Sequence, residues 1–520
     1  GEVCHFLNFM TLLSPLYILF PKVWIMSRVI QQKDFYELES TEDVLQSPVY
    51  NSDIAPTKIR ERTWNKWHVA ALWVGMAICV PTYTLGGVLT SYFGLTVGEA
   101  LWTVLLANVI VLIPLILNAF PGTKFGIPFP VLLRSSFGIY GSNVPALIRA
   151  TIACGWFGIQ TMFGGLAIHL LLAQFSSSWA SLGGTGEVIG FFLFWILNVA
   201  IVLRGSESIK FMEVLAAPLL LLVGVVLFLW AMPQINFTEL LNVPPKRPEG
   251  ASMWGYFFGG LTAMVGFWAT LSLNIPDFSR FAKSQKDQIW GQIMGLPLTM
   301  LLFSALGVVM TAASASLVGQ TYSDPISLIG AIKSPLWGSI ALLVIILATV
   351  STNAAANMVS PTNDFQNAFP RLINLKRGTF LTGIVGILLM SWELLRKLGW
   401  IVSDVSIEGL YSNWLLAYSS LLGPIAGIMI VDYFVVKKQH LDLVHIYKVE
   451  NPTYPKIHWP GLLAFFIPVL FTVICKSCDV LPWVYSYGWF VGAALGAIFY
   501  YFLATKLSLF KSQKLSEEML

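Results

Sequence analysis

Charge is what this sequence has least of. Only 11% of its 520 residues are Asp, Glu, Lys or Arg, where a soluble chain carries about a quarter. With 56% hydrophobic residues, that scarcity excludes an ordinary water-soluble domain and marks a polytopic membrane protein. The net charge of +4 is small and gives no ground for a nucleic-acid partner. Cysteine is scarce too. Cys4, Cys79, Cys154, Cys475 and Cys478 do not suggest a disulfide framework. Cys475-x-x-Cys478 has redox or metal spacing, but no second pair or nearby histidine completes it. No histidine cluster, nucleophile–base pair or metal-ligand spacing falls at membrane depth; His169 stands alone there and reads as a packing residue. An enzyme and a bound organic cofactor are therefore not expected.

Long apolar runs are abundant. A helix needs about 20 apolar residues to cross a bilayer, and such windows fall near 67–92, 97–119, 144–175, 186–203, 210–231, 252–275, 290–317, 335–358, 379–395, 410–434, 459–475 and 485–505. Twelve spans place both termini on one side. Lys and Arg in short loops orient the set. Lys58, Arg60, Arg62, Lys66, Lys124, Arg134, Arg204, Arg280, Lys283, Lys286, Arg371, Lys376, Arg377, Lys437 and Lys438 all fall on the N-terminal side. The other side holds a scatter (Lys246, Arg247, Lys333, Arg396, Lys397, Lys476). Both termini are thus expected in the cytoplasm, the protein in the cell membrane and the bilayer as its constant partner; no obligate protein partner is evident. Upstream, residues 6–26 are apolar but carry Pro15, Pro21 and Lys22, and a polar stretch opens at Met26. Met26 is the expected natural start, with 1–25 an upstream extension; a further membrane anchor is the alternative. The acidic residues Asp34, Glu37, Glu39, Glu42 and Asp43 argue against an organelle transit peptide.

Two spans look broken. Span 1 contains Gly75, Pro81 and Gly86-Gly87 near its middle, and span 6 contains Gly259, Gly260 and Gly266. Proline removes a backbone donor and clashes with the preceding turn. Five spans separate the two, so they run in opposite directions, and paired interruptions in inverted halves point to a transport site near the bilayer midplane.

Polar residues then mark where such a site would be. Trp156 and Gln160 in span 3 are i and i+4, on one helix face. Trp268 follows Gly266 in span 6. Indoles suit the face of a flat ring, and an amide donates and accepts at once, matching alternating N–H and C=O groups. No fixed charge accompanies them, which favours a neutral planar cargo. Span 8 contains Ala348-Thr-Val-Ser-Thr-Asn-Ala-Ala-Ala-Asn357. Polar groups at this depth are costly unless they face partners, a ligand or water, although small residues also serve helix packing. Projected on a helix of about 3.6 residues per turn, Ser351 and Thr352 flank the direction of Ala348, whereas Asn353 and Asn357 fall on the opposite side. The run therefore has a hydroxyl face and an amide face. Hydroxyls, together with carbonyls released at the span 1 break, could hold a sodium ion. Proton coupling stays open, with Glu213 and Asp432 as the membrane-embedded acids.

These motifs are specific enough for a resemblance. Pro121-Gly-Thr-Lys-Phe-Gly-Ile-Pro-Phe-Pro130, Arg134-Ser-Ser-Phe-Gly-Ile-Tyr-Gly141, Gly155-Trp-Phe-Gly-Ile-Gln-Thr161, Asn274-Ile-Pro-Asp-Phe-Ser-Arg-Phe-Ala282, the span 8 run and Leu422-Gly-Pro-Ile-Ala-Gly-Ile-Met429 occur in that order. Together the chain resembles the nucleobase–cation symporter-1 family, from about Arg62 to the last span. The resemblance implies an all-α membrane fold of the leucine-transporter type, a five-plus-five inverted repeat with two extra C-terminal helices. It places an N-terminal tail at 1–63, repeat one at about 64–231, repeat two at about 252–434, the extra helices at about 459–505 and a tail at 506–520. It implies that Trp156 and Trp268 stack on the cargo, that Gln160 and Asn357 hydrogen-bond it, and that Leu415 screens its size as a gate. It implies a cation position on Gly75, Ile78, Ala348, Ser351 and Thr352, the first three through backbone oxygens. In hydantoin carriers a Gln of broken span 1 reaches the substrate, and Cys79 stands there in this chain. Uracil, allantoin, hydantoin and purines all remain open as cargo, and sodium or protons as coupling ion. An amino-acid or osmolyte symporter of the same fold, or a non-transporting nutrient sensor, is the alternative function.

Overall fold

The computed structural model describes residues 29–204, 206–332, 334–403 and 407–506, without the side chains of 206–213, 407, 408 and 410. The expected start at Met26, the extension 1–25, Lys333, the Glu213 side chain and the tail from 507 lie outside the described residues.

The twelve apolar windows all correspond to helix. Among the described residues, ten helices are long and apolar enough to cross a membrane, and an eleventh span is the pair α1 (Lys66–Ala77) and α2 (Val80–Ser91), bent by 59°. The others are α3 (Val97–Phe125), α5 (Asn143–Ala173), α6 (Gly184–Arg204), α7 (Ser206–Ala231), α10 (Gln285–Val318), α11 (Pro335–Asn353), α13 (Leu375–Lys397), α14 (Ile407–Val431), α15 (Trp459–Ser477) and α16 (Gly488–Thr505). The twelfth span is itself interrupted, as α8 (Met253–Phe267) and α9 (Ala269–Asn274). Short α4 (Phe129–Phe137) joins α3 to α5, and α12 (Ser360–Ala368) continues α11 beyond a widened π turn at Ala354–Val359.

Local chemistry sets the ends. The Thr96 hydroxyl accepts from the Glu99 amide at 3.2 Å while the Glu99 carboxylate accepts from the Thr96 amide at 2.9 Å, a reciprocal cap that starts α3. Gly126, at φ +68°, ends it in the left-handed conformation.

The breaks differ from the expected positions. Gly86 and Gly87 lie inside α2 and do not open it. They are packing glycines: a Cβ on Gly86 would collide with the Ser304 carbonyl of α10, and one on Gly307 of α10 with the Tyr83 carbonyl of α2. The opening lies earlier, at Ile78 (φ −82°, ψ 87°) and Cys79 (φ −148°, ψ 161°). Pro81 sits in the first turn of α2, where a missing N–H costs nothing. In span 6 the interruption falls at Trp268 (φ −100°, ψ 8°), after the glycines.

The polar stretch before span 1 is not a free tail over 29–63. Strands β1 (Val29–Gln32) and β2 (Phe35–Leu38) form an antiparallel hairpin, and Leu38, Val44, Val49 and Ile54 join the main core. Arg62 caps the end of α3, donating through Nη1 to the Thr123 carbonyl at 2.9 Å and through Nη2 to that of Thr57 at 2.9 Å. Burial pulls its guanidinium down to about 10, with Glu37 acting the other way, so it stays charged at neutral pH. Arg134 on α4 donates to Asn367 Oδ1 and to the Ile446 and Val49 carbonyls. Arg149 on α5 pairs with Asp364 on α12 at 2.6 Å, both fully enclosed. Asp432 is likewise held, by Lys437 at 2.6 Å, Ser135 and Tyr500. Cys475 and Cys478 are free thiols, the first buried and the second exposed.

The contact of α2 with α10 leaves no room for a methyl group. Gly307→Ala should force the two helices apart at a cost of about 1–3 kcal/mol, typical of overpacking, read as a lower midpoint of denaturant unfolding in detergent.

Candidate functional site

The Ile78–Cys79 break frees particular carbonyls. In an unbroken helix the Gly75 carbonyl would accept from the Cys79 amide and that of Ile78 from the Thr82 amide. Here the Cys79 amide turns to the Ala77 carbonyl at 3.1 Å, and the Thr82 amide goes to the Cys79 carbonyl at 3.1 Å. Both carbonyls therefore lose their helical donors. Ala348 differs: it stands inside regular α11, where its carbonyl has only a second lone pair to offer. Ile78 and Ala348 belong to one buried cluster, whereas Cys79 belongs to another that holds Trp156, Trp268 and Leu415. At the break Ile78 takes an inverse γ-turn conformation and Cys79 an extended one, so their side chains enter different clusters.

The aromatic side is compact. Trp156 on α5 lies edge-on to Phe267 (5.2 Å), Tyr411 (5.8 Å) and Tyr418 (6.3 Å). Trp268 lies edge-on to Phe267 at 4.9 Å and to Trp73 at 5.1 Å. The two tryptophans are thus joined through Phe267, each nearly perpendicular to it. The Cys79 thiol sits 3.2 Å from the Thr82 hydroxyl. Trp156, Gln160, Trp268, Asn357, Cys79 and Leu415 are all buried, and none is charged.

Hydrogen-bond partners sort the polar run of α11. Thr349 donates to the Ile345 carbonyl at 2.7 Å, a bond within its own helix that serves no ligand. Asn353 crosses to α5, its Nδ2 reaching the Phe157 carbonyl at 3.2 Å and Thr161 Oγ1 at 3.4 Å. Asn357 donates to Asn353 Oδ1 at 2.9 Å. Asn353, which projection alone left between packing and site, therefore holds Asn357 against the α5 turn that carries Gln160. Ser351 is different: its hydroxyl is buried with no hydrogen-bond partner among the described residues, as are Gln160 Oε1 and Trp268 Nε1. Most buried polar atoms are paired, so these three are available to a bound molecule or ion. The π turn at Ala354–Val359 adds a residue to the helical turn there, and such turns recur at functional sites.

The family follows from comparison with known proteins. Residues 56–501 match the family described as permease for cytosine/purines, uracil, thiamine, allantoin. The chain belongs to this family, the nucleobase–cation symporters. A purine-uracil permease of Arabidopsis thaliana is 42% identical over 408 residues, covering 77% of this chain and 66% of that protein. An allantoin permease of Bacillus subtilis is 35% identical over 465 residues, covering 86% and 92%. The solved structure of Mhp1, a nucleobase-cation-symport-1 family transporter in a closed conformation with bromovinylhydantoin bound, aligns with TM-score 0.71 at 25% identity, over 89% of this chain and 98% of that one. The fold is accordingly the leucine-transporter type, with its two discontinuous helices in α1–α2 and α8–α9.

Relative to the sequence reading, the structure brings Trp156, Trp268, Cys79 and Leu415 into one cluster and adds Phe267, Trp73, Tyr411 and Tyr418. The tyrosines carried a readable signal: at i and i+7 they share a helix face with Leu415 between them. Trp73 and Phe267 did not, because any large ring in an apolar span reads as packing. Replacing Asn353 by Ala unties Asn357 and one α11–α5 contact and should cost about 1–3 kcal/mol. Ser351→Ala removes a buried hydroxyl that has no hydrogen-bond partner among the described residues and should cost clearly less than Asn353→Ala. Thermal unfolding of the two purified variants checks the contrast.

Proposed function

We propose that the protein is a secondary active symporter that carries a neutral planar nucleobase or cyclic ureide together with a cation. The observation that supports this reading best is that two indoles, which share one cluster, and two side-chain amides are all buried and none is charged. A flat ring gains from stacking on indole faces, and its alternating N–H and C=O edge matches amides that donate and accept. A zwitterion or a phosphate would require a countercharge. Trp156 and Trp268 hold the faces of the cargo, and Gln160 and Asn357 bind its edge. Cys79 lines the slot without being a strong hydrogen-bond partner, and Leu415 gates it. Relatives named as purine-uracil and allantoin permeases support the class of cargo.

The cation lies between the broken span 1 and α11, on the carbonyls of Gly75, Ile78 and Ala348 and the hydroxyls of Ser351 and Thr352. Freed carbonyls and an unpartnered hydroxyl suit a hard monovalent ion such as sodium. Alternating access rocks one bundle against the other around this pair of sites. Both termini are on the cytoplasmic side of the cell membrane in this reading, supported by the loop distribution of Lys and Arg.

Uptake of radiolabelled uracil, allantoin, hydantoin and a purine tests the slot. Trp156→Ala and Trp268→Ala, each still inserted, should lose saturable uptake by at least about tenfold, since a lost stacking and burial contact removes roughly 1.4 kcal/mol or more. Undiminished uptake in both would sink the site. For the ion, cargo-induced thermal stabilisation of purified protein should weaken without sodium, and Thr352→Ala should blunt that dependence. Indifference to sodium with steep dependence on pH would assign protons instead.

A further inference from the structure

The two helix breaks share one neighbour, α14. The Tyr411 hydroxyl donates to the Pro81 carbonyl at 3.2 Å, just beyond the Ile78–Cys79 break. Further along the same helix, the Tyr418 hydroxyl donates to the Gly266 carbonyl at 2.6 Å, just before the Trp268 break. Both rings also stand edge-on to Trp156. Tyr411, Leu415 and Tyr418 form one buried stripe on α14.

We propose that Tyr411 and Tyr418 are positioning residues that latch α14 over the slot, Tyr411 onto the first broken helix and Tyr418 onto the second. The inference rests on the transport reading above and names the residues that hold the closed state.

Three observations carry it. Each ring is buried, and each hydroxyl has a backbone carbonyl of a broken helix within hydrogen-bond distance. Each acceptor lies within three residues of a break, Pro81 at the start of α2 and Gly266 at the end of α8. Finally, Gly266 is shaped for the approach of α14: a Cβ there would collide with the Ser419 hydroxyl and crowd the Leu415 carbonyl. The position of α14 in this structure is thus specified at both breaks by a side-chain donor, and at the second also by the lack of a side chain.

The consequence is conditional closure. Pro81 lies three residues after Ile78, so the carbonyl offered to Tyr411 depends on how the cation side of span 1 is ordered. The Gly266 carbonyl lies two residues before Trp268, so the acceptor for Tyr418 depends on the ring expected to stack on cargo. Trp156, touched by both tyrosine rings, ties the two latches to one surface. Closure of α14 then requires both breaks to be in their ordered geometry. A purely space-filling role would need the rings and not the hydroxyls.

Cys79 reports the difference. It is buried, 3% exposed, whereas Cys478 is exposed. Purified full-length protein is treated with N-ethylmaleimide, and modification of each cysteine is followed by mass spectrometry. Tyr411→Phe and Tyr418→Phe should each raise the Cys79 rate about three- to tenfold, the range expected for one lost hydrogen bond. The Cys478 rate should not change. Gly266→Ala, which pushes α14 away without touching either tyrosine, should raise the Cys79 rate as well. Unchanged Cys79 rates in both Phe variants overturn the latch. A wild-type Cys79 rate indifferent to every nucleobase and ureide added counts against the transport reading, while the rates without cargo still decide the latch.

Discussion

A backbone amide or carbonyl inside a bilayer has no water to fall back on, so an interrupted helix survives only where protein supplies its partners. Both interruptions in this chain obey that constraint, and the rest of the site depends on how they obey it. At Ile78–Cys79 the local amides fold back onto the Ala77 and Cys79 carbonyls, leaving the Gly75 and Ile78 carbonyls unclaimed by the helix. The neighbouring α10 braces the second half of the span through the Gly86 and Gly307 contacts. At Trp268 the amide is taken by the Val265 carbonyl at 3.2 Å, and Tyr418 occupies that of Gly266. The breaks are held open by packing and hydrogen bonds from elsewhere, which is why they lie at the centre of the bundle.

Much of this was legible in the residues, and the failures have physical causes. Span count and inverted pairing follow from apolar length and from the places where Gly and Pro recur. The exact break did not follow, because glycine serves two ends. Gly75 has open space around its missing Cβ, while Gly86 and Gly87 meet carbonyl and hydroxyl oxygens of other segments. Sequence alone does not distinguish a glycine that permits unwinding from one that permits close approach. Regular helical projection of span 8 separated hydroxyls from amides correctly up to Asn353. Beyond it the π turn changes the angle per residue, yet Asn357 still reaches Asn353 four residues back.

The stretch at 29–64 shows the opposite failure. Its acidic, loop-like composition reads as a solvated tail, yet it is folded against the end of the bundle. Its polar groups are used rather than hydrated. Arg62 satisfies the last carbonyls of α3, Asn51 donates to the Pro370 carbonyl at 2.9 Å, and Tyr447 donates to the Ile54 carbonyl at 2.7 Å. Helix C-termini leave carbonyls without intrahelical donors, and a cationic or amide side chain from another segment can satisfy them. Composition could not show this, because the partners lie 61 to 393 residues away along the chain.

A carrier must close and reopen in every cycle, which limits how strong its closing contacts can be. Two neutral hydrogen bonds contribute about 0.5–1.5 kcal/mol each, so the tyrosine contacts of α14 together supply roughly 1–3 kcal/mol. Coupling free energies between two ligands in one protein fall in the same range, about 1–3 kcal/mol. Contacts of that size can be decided by whether cargo and cation are bound; a buried ion pair such as Arg149–Asp364, whose rupture costs about 3–5 kcal/mol, could not be broken so readily. The distribution of bonds in the molecule agrees with this division. Charged pairs hold segments together away from the breaks, and α14 meets the two breaks through neutral hydroxyls. Because Ile78 and Cys79 are adjacent at the break and belong to different clusters, ordering that one segment acts on the side of α11 that holds Ala348 and on the aromatic cluster together. In the proposed reading the broken helix itself is then the short physical link between cation and cargo, with the polar run of α11 supplying one group of partners to each side.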